Sequence, residues 1–243
     1  MSRWLLVAVA LVAAGLGAGA TYLGGLYRPI AAGPERTRIE GVVRDYLIRH
    51  PEVLVEASTA LRRRESGKAI AADRRAITEP YGNAWSGNPA GDVVVVEYFD
   101  YNCGYCRASL PVIDQLVASD AKVRIIYRDW PILSDESATA ARYSLVAAEM
   151  GRFRQFHEAL YAAGPVTDAT IQQAVARAGL DLAKVRAAVD TPRIDAELER
   201  NLGTAKKLGL SGSPSWVIGD QVVSSALPLE ELQRLVAEAR AGG

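Results

Sequence analysis

Cysteine and histidine are scarce in this chain of 243 residues, which holds two of each, and neither sign of charge is in excess, with 28 basic residues against 28 acidic. The balance removes the overall field that draws a protein to nucleic acid or an anionic membrane, so no nucleic-acid partner is expected. The histidines, His50 and His157, are far in sequence from the cysteines, Cys103 and Cys106. A Cys-x-x-Cys pair supplies half of a tetrahedral zinc set, so no metal is expected, with a Cys2His2 site as the minor alternative. The composition, 49% apolar and 23% charged, suits a globular chain with one full core and an accessory segment.

Charge is absent from Trp4 to Tyr27, with Arg3 in front, the layout of an export signal or a membrane anchor. At ~1.5 Å per residue such a helix spans ~36 Å, against ~30 Å of hydrocarbon. Ala18-Gly19-Ala20 fits a small-x-small cleavage site. Residues 1–27 are read as a signal peptide or signal anchor, which places the body of the protein outside the cytoplasm.

Residues 28–88 read as an N-terminal helical extension. Ile39, Val42, Val43, Tyr46 and Leu47 mark one helical face. Pro51 suits the first turn of a second helix, with Val53, Leu54, Ala57 and Leu61 as its stripe. Arg62-Arg63-Arg64-Glu65 and Asp73-Arg74-Arg75 then give a solvated helix with only Ala69, Ile70, Ala76 and Ile77 to bury. It is either an arm lying on the main domain or an element that pairs with other copies. Glu79 to Gly91, rich in glycine and proline, reads as a linker.

Asp92 to Phe99 is β-branched and almost continuously apolar, as a central strand buried on both faces would be. Glu97 is the exception: it lies either at an exposed edge or beneath a reactive group, because an unpaired carboxylate is costly to bury. Cys103 follows at the start of a predicted helix, where unpartnered N–H groups and the helix dipole favour a thiolate. In such motifs the first cysteine titrates at ~3.5–7.5 rather than ~8.5. Cys103 is therefore the expected nucleophile and Cys106, one turn on, the resolving cysteine. A structural staple is the weaker reading, because closing so short a loop stabilises by only about 2 kcal/mol. Pro111 within this helix predicts a kink.

Val123 to Arg128 alternates as a second strand. Residues 134–208 are helical in pattern, with candidate helices at 135–149, 151–162, 168–178, 181–189 and 193–208, an insertion into an α/β sheet. His157, in Phe153-x-x-Phe156-His157, reads as a helix-face residue rather than a base. Two short strands about Gly219-Asp220 form a hairpin, and Pro228 opens the last helix.

Glu97-Tyr98-Phe99-Asp100-Tyr101-Asn102-Cys103-Gly104-Tyr105-Cys106 and Gly212-Ser213-Pro214-Ser215-Trp216-Val217-Ile218-Gly219, in this order of elements, resemble the DsbA-like branch of the thioredoxin superfamily. The resemblance covers about residues 90–240 and implies a thioredoxin-like α/β fold over residues 89–243. It implies Cys103 as nucleophile, Cys106 as resolving cysteine, Glu97 as buried acid, Ser213-Pro214 as a cis-proline loop facing the dithiol, and no cofactor beyond the cysteines. Asp45-Tyr46-Leu47 and His50-Pro51-Glu52-Val53-Leu54 are similar to the helical extension of oligomeric ScsC-type members. The implied activity is disulfide formation or exchange in exported, cysteine-containing proteins of a bacterial periplasm, with residues 4–27 as an inner-membrane tether if uncleaved. The implied partners are those substrates, a membrane protein that resets the dithiol, and other copies of the chain. Strongly oxidising members usually carry histidine beside the second cysteine. Tyr105 stands there instead, which keeps a disulfide isomerase or reductase as a competing expectation. A redox-inert peptide- or metal-binding protein on the same fold is the alternative from another class.

Overall fold

The structure, a computed structural model, describes residues 33–242. The apolar run of residues 4–27 lies outside the described residues, among which no helix is long and apolar enough to cross a membrane. The chain divides into two compact units between Ser58 and Thr59.

In the first unit, helix α1 (Pro34–Arg49) begins with proline, whose missing N–H has no intrahelical acceptor there, and buries no residue. Ile39, Val42, Val43 and Tyr46 stand exposed on it. Helix α2 (Glu52–Ala72) begins in this unit and ends in the second.

The second unit is built on a five-stranded mixed sheet. Its strands are β1 (Trp85–Gly87), β2 (Val93–Phe99), β3 (Val123–Asp129), β4 (Ser215–Ile218) and β5 (Gln221–Val223). They lie in the order β1-β3-β2-β4-β5, with β2 and β3 parallel and every other pair antiparallel. Val95 and Phe99 of β2 enter a core shared with the helical insertion, whereas Val96 and Tyr98 enter a second core with Ile70, Ile77, Trp130 and Ala205. Burial on both faces explains the nearly unbroken apolar run.

Residues 79–91 are not the linker their glycines and prolines suggested. Trp85 to Gly87 pair antiparallel with β3, Ala84 is fully buried, and Asn83 N donates to Ala148 O at 3.1 Å. Proline and glycine bend the chain on either side of a strand too short to show in the sequence pattern. Residues 62–78 lie on the sheet. Ile70 and Ile77 are buried, on α2 and on the short helix α3 (Arg74–Thr78). Ser66 Oγ donates to Asp220 O at 2.7 Å, and Arg63 pairs with Glu238 at 3.0 Å.

Helix α4 (Gly104–Ser119) starts directly after Cys103 and runs through Pro111, which lies on its exposed side. The insertion comprises α5 (Asp135–Glu149), α6 (Phe153–Ala163), α7 (Asp168–Arg177), α8 (Leu182–Val189) and α9 (Pro192–Lys207), close to the spans read from the sequence. Caps mark their starts: Ser134 Oγ accepts from Ser137 N, Thr167 and Thr170 form a capping box, and Asp181 accepts from Ala183 N and Lys184 N. Gly219, at φ 62°, turns the β4–β5 hairpin, and helix α10 (Leu229–Ala241) closes the chain with Leu232, Leu235 and Val236 buried.

Candidate active site

The parallel β2–β3 pair ends at Phe99 and Asp129, and the chain leaves β2 through a turn at Tyr101-Asn102 into Cys103. Cys103 is the N-cap of α4 in extended conformation, so the first-turn N–H groups of α4 have no intrahelical acceptor. Both cysteines are buried free thiols. Burial, reinforced by the Glu97 carboxyl, pushes the Cys106 thiol far above its ordinary range. Between them, Tyr105 is 69% exposed.

The loop before β4 closes the site from the other side. Ser213-Pro214 is a cis peptide, Pro214 is buried, and the Cys103 thiol donates to Ser213 O at 3.2 Å. Ser215 Oγ donates to Gly212 O at 2.5 Å, which holds the loop in place. Ser213 Oγ is buried without a partner.

Glu97 takes the second of its two expected places. It lies in the middle of the sheet, opposite Tyr127 on β3 and Trp216 on β4, and is 2% exposed. Its Oε1 meets no donor. Burial, with the Cys103 sulfur as the second cause, raises its pKa from 4.5 to about 8, so at neutral pH the carboxyl carries a proton. The sequence-predicted residues Glu97, Cys103, Cys106 and the Ser213-Pro214 loop thus converge on one place. His50, in the first unit, pairs at its Nδ1 with Glu52 at 3.0 Å.

Sequence reasoning passed over two features around this centre. His157, read as a helix-face residue, occupies the buried face of α6, with its ring 4.8 Å from Phe99 and 4.9 Å from Tyr161. Its Nδ1 hydrogen-bonds the Tyr101 hydroxyl at 3.0 Å and its Nε2 has no partner. Burial, helped by nearby Arg154, lowers its pKa to about 3, so the ring is neutral. Phe153 and Phe156, one turn or less before it, were the available signal for an apolar setting. Asp100 is 1% exposed, and its Oδ1 accepts from Asn102 N at 2.8 Å. An aspartate two residues before a turn amide has that propensity on its own.

Comparison with known proteins accords with this geometry. Residues 94–237 match the family model described as a DSBA-like thioredoxin domain, and residues 35–66 match the N-terminal domain of the copper resistance protein ScsC. A thioredoxin-like oxidoreductase of Silicibacter pomeroyi is 36% identical, with 70% of this chain and 99% of that one covered and a TM-score of 0.67. The thiol-disulfide exchange protein alpha-DsbA2 of Wolbachia pipientis is 27% identical over 73% of this chain and 97% of that one, with a TM-score of 0.67. A linker-deletion mutant of Proteus mirabilis ScsC is 25% identical, with 89% and 100% covered and a TM-score of 0.69. Among curated proteins, the Na(+)/H(+) antiporter NhaA 1 of Salinispora arenicola is 26% identical over 153 residues, 62% of this chain and 24% of that protein. The chain spans about a quarter of the length of the curated relatives it matches. The family model covers more than half of the chain, and the chain belongs to the DSBA-like thioredoxin domain family.

Proposed function

We propose that this protein is a thiol-disulfide oxidoreductase that forms or exchanges disulfides in cysteine-containing proteins through Cys103 and Cys106. The observation that carries the reading is the Cys103 thiol at the start of α4, held against Ser213 O of the cis-proline loop with Cys106 buried behind it. In the oxidising direction a substrate thiolate attacks Cys103 Sγ of the Cys103–Cys106 disulfide. Cys106 leaves as a thiolate and takes a proton, for which the protonated Glu97 carboxyl is the donor. A second substrate thiolate then attacks the substrate sulfur of the mixed disulfide and Cys103 leaves. The substrate is oxidised to a disulfide, the protein is reduced to the dithiol, and a partner must withdraw two electrons to reset it. The edge of the Ser213-Pro214 loop aligns the extended substrate segment. No cofactor takes part.

Insulin reduction with dithiothreitol tests the reading: the protein should accelerate it and Cys103→Ser should abolish the acceleration. Equal rates would leave the redox-inert binding reading. Tyr105 beside Cys106 favours an isomerase or reductase over a strong oxidase. Equilibration with glutathione decides the direction, a potential near about −120 mV marking an oxidase and one near about −200 mV or below an isomerase or reductase.

The compartment we assign is the bacterial periplasm, on the apolar run of residues 4–27 and on relatives such as the periplasmic thioredoxin-like protein of Salmonella enterica, 26% identical. Mass spectrometry of the mature N-terminus separates a cleaved signal from a tether. The exposed Ile39, Val42, Val43 and Tyr46 of α1 support assembly with other copies of the chain. Light scattering on the protein with and without residues 28–58 tests this, and an unchanged mass would overturn it.

A further inference from the structure

Arg107 has no part in the chemistry above, yet it follows Cys106 directly. Its backbone N–H donates to Cys103 O at 3.1 Å, so Cys103 and Arg107 lie one helical turn apart on one face. A helical side chain leans toward the N-terminus of its helix and covers the turn before it, which here is the turn that starts at Cys103. The guanidinium is also held from outside the helix: Nη2 donates to Gly164 O, in the loop between α6 and α7, at 3.0 Å. That acceptor is itself fixed. Val166 N donates to Asn102 Oδ1 and Thr170 Oγ1 donates to Pro165 O, both at 3.0 Å, and Asn102 is the residue before Cys103. The loop is thus tied to the residues on either side of the Cys-x-x-Cys, and it holds the guanidinium at the rim of the site.

The charge on Arg107 is unanswered. The positions one turn away on α4 are Cys103, Gly104, Leu110 and Pro111, none of them a carboxylate. Asp114, two turns on, pairs with Arg154 at 2.8 Å, and among the described residues Arg107 enters no ion pair. Its side chain is exposed, and most of its N–H donors stay free for a ligand. The group that fits such a fork, with two parallel bonds, is a carboxylate. We propose that Arg107 is a specificity-determining residue, favouring substrate segments that carry a carboxylate side chain beside the reacting cysteine. This rests on the oxidoreductase reading above.

The test follows oxidation of the reduced protein by the symmetric disulfides of two acetylated and amidated tripeptides, one with glutamate and one with lysine after a central cysteine. The Cys103 thiolate attacks one peptide sulfur, forming a mixed disulfide and releasing one peptide thiolate. Cys106 then attacks Cys103 Sγ and closes the protein disulfide, and the second peptide leaves as a thiol with the proton of Cys106. The protein is oxidised and the peptide disulfide reduced. Quenched-flow mass spectrometry gives the rate of the first step. Its glutamate-to-lysine ratio should fall about fivefold in Arg107→Gln, the upper size of one exposed ion pair, and equally in Arg107→Met, which keeps the aliphatic stem. Arg107→Lys keeps the charge and should lower the ratio less than twofold. The peptides' own reactivities, and charges elsewhere on the chain such as Asp168 at the start of α7, cancel between wild type and variant. In about 1 M salt most of the difference between wild type and Arg107→Gln should vanish. A ratio unchanged in the neutral variants, or lowered as far by Arg107→Lys, overturns the proposal. Equal slowing with both peptides also overturns it, leaving Arg107 only as the anchor of Gly164. Failure of the wild-type protein to form a mixed disulfide with either peptide would instead refute the oxidoreductase reading.

Discussion

Replacing Glu97 by glutamine tests the buried acid directly. The substitution keeps shape and volume and removes no hydrogen bond at Oε1, which has none. What it removes is the cost of ionising a carboxyl whose pKa stands at about 8 in the folded dithiol, against 4.5 for the exposed group. The sign follows from proton binding: between those values the unfolded chain has lost the proton while the folded one keeps it. The wild-type contribution is therefore fully present below pH 4.5 and lost as pH rises through 8. At about 1.4 kcal/mol per unit the loss approaches about 5 kcal/mol. Urea unfolding of the reduced proteins from pH 4 to 9 should find the variant no more stable than wild type at pH 4 and more stable by a few kcal/mol at pH 9. The crossing should have a slope near 1.4 kcal/mol per unit between about pH 5 and 8. Parallel profiles would mean that the folded carboxyl ionises as in water, and the buried-acid argument would fail. The same variant should slow formation of the mixed disulfide from the oxidised protein, because Cys106 would then leave without its proton donor.

Arg128 and Glu197 form a buried ion pair at 2.7 Å, and Arg128 also donates to Ala76 O at 2.7 Å, at the end of α3. Glu197→Gln should cost about 3–5 kcal/mol, seen as a lower urea midpoint, because it leaves a buried guanidinium without its counter-charge. Gly82 has φ +51°, and a Cβ there would lie 2.5 Å from Ala148 O. Gly82→Ala should therefore cost at least about 2 kcal/mol by thermal unfolding, whereas Gly151→Ala, at φ +71° with open space around it, should cost only about 1 kcal/mol. Tyr105→His, at an exposed position, should move the glutathione equilibrium toward the dithiol by tenfold or more, which is about 30 mV. No movement would show that this position does not set the direction of exchange.

The elements that bring the site together were legible because each is written locally: an apolar β-branched run for β2, a cysteine pair at a helix start, Gly-x-Pro before a hairpin, and breaks at Gly164-Pro165 and Thr191-Pro192 in the insertion. What escaped depends on distant partners. Strand β1 is three residues long and exists through its pairing with β3. Arg128 belongs to an alternating strand pattern, yet it is buried because Glu197, 69 residues on, and the carbonyls of α3 receive it. For Glu97 the sequence posed a choice between edge and interior, and only the position of β4 beside β2 decides it. Asp100 resembles an ordinary turn residue until Ile132, Leu133 and Ser137 close on it.

His157 gives Glu97 a counterpart of opposite sign. Its folded pKa of about 3, against 6.5 for a free ring, means that the unfolded chain gains a proton the folded one refuses. Its contribution is fully present above pH 6.5 and lost as pH falls toward 3. His157→Phe keeps the aromatic packing with Phe99 and Phe153 and leaves the Tyr101 hydroxyl its bond to Ser144. Relative to wild type, this variant should gain about 1.4 kcal/mol per unit as pH falls below 6.5, and nothing above it. Buried Asp129, whose carboxyl is also raised by burial, bends the wild-type curve in the same sense as Glu97. The comparison therefore rests on differences between each variant and wild type, where Asp129 cancels. The two difference profiles must run in opposite directions, Glu97→Gln rising above pH 5 and His157→Phe rising below 6.5. Water entering beneath the dithiol would return both groups toward their free values and flatten both profiles together. One sloping profile beside one flat one would instead confine the dry interior to the surroundings of the surviving group.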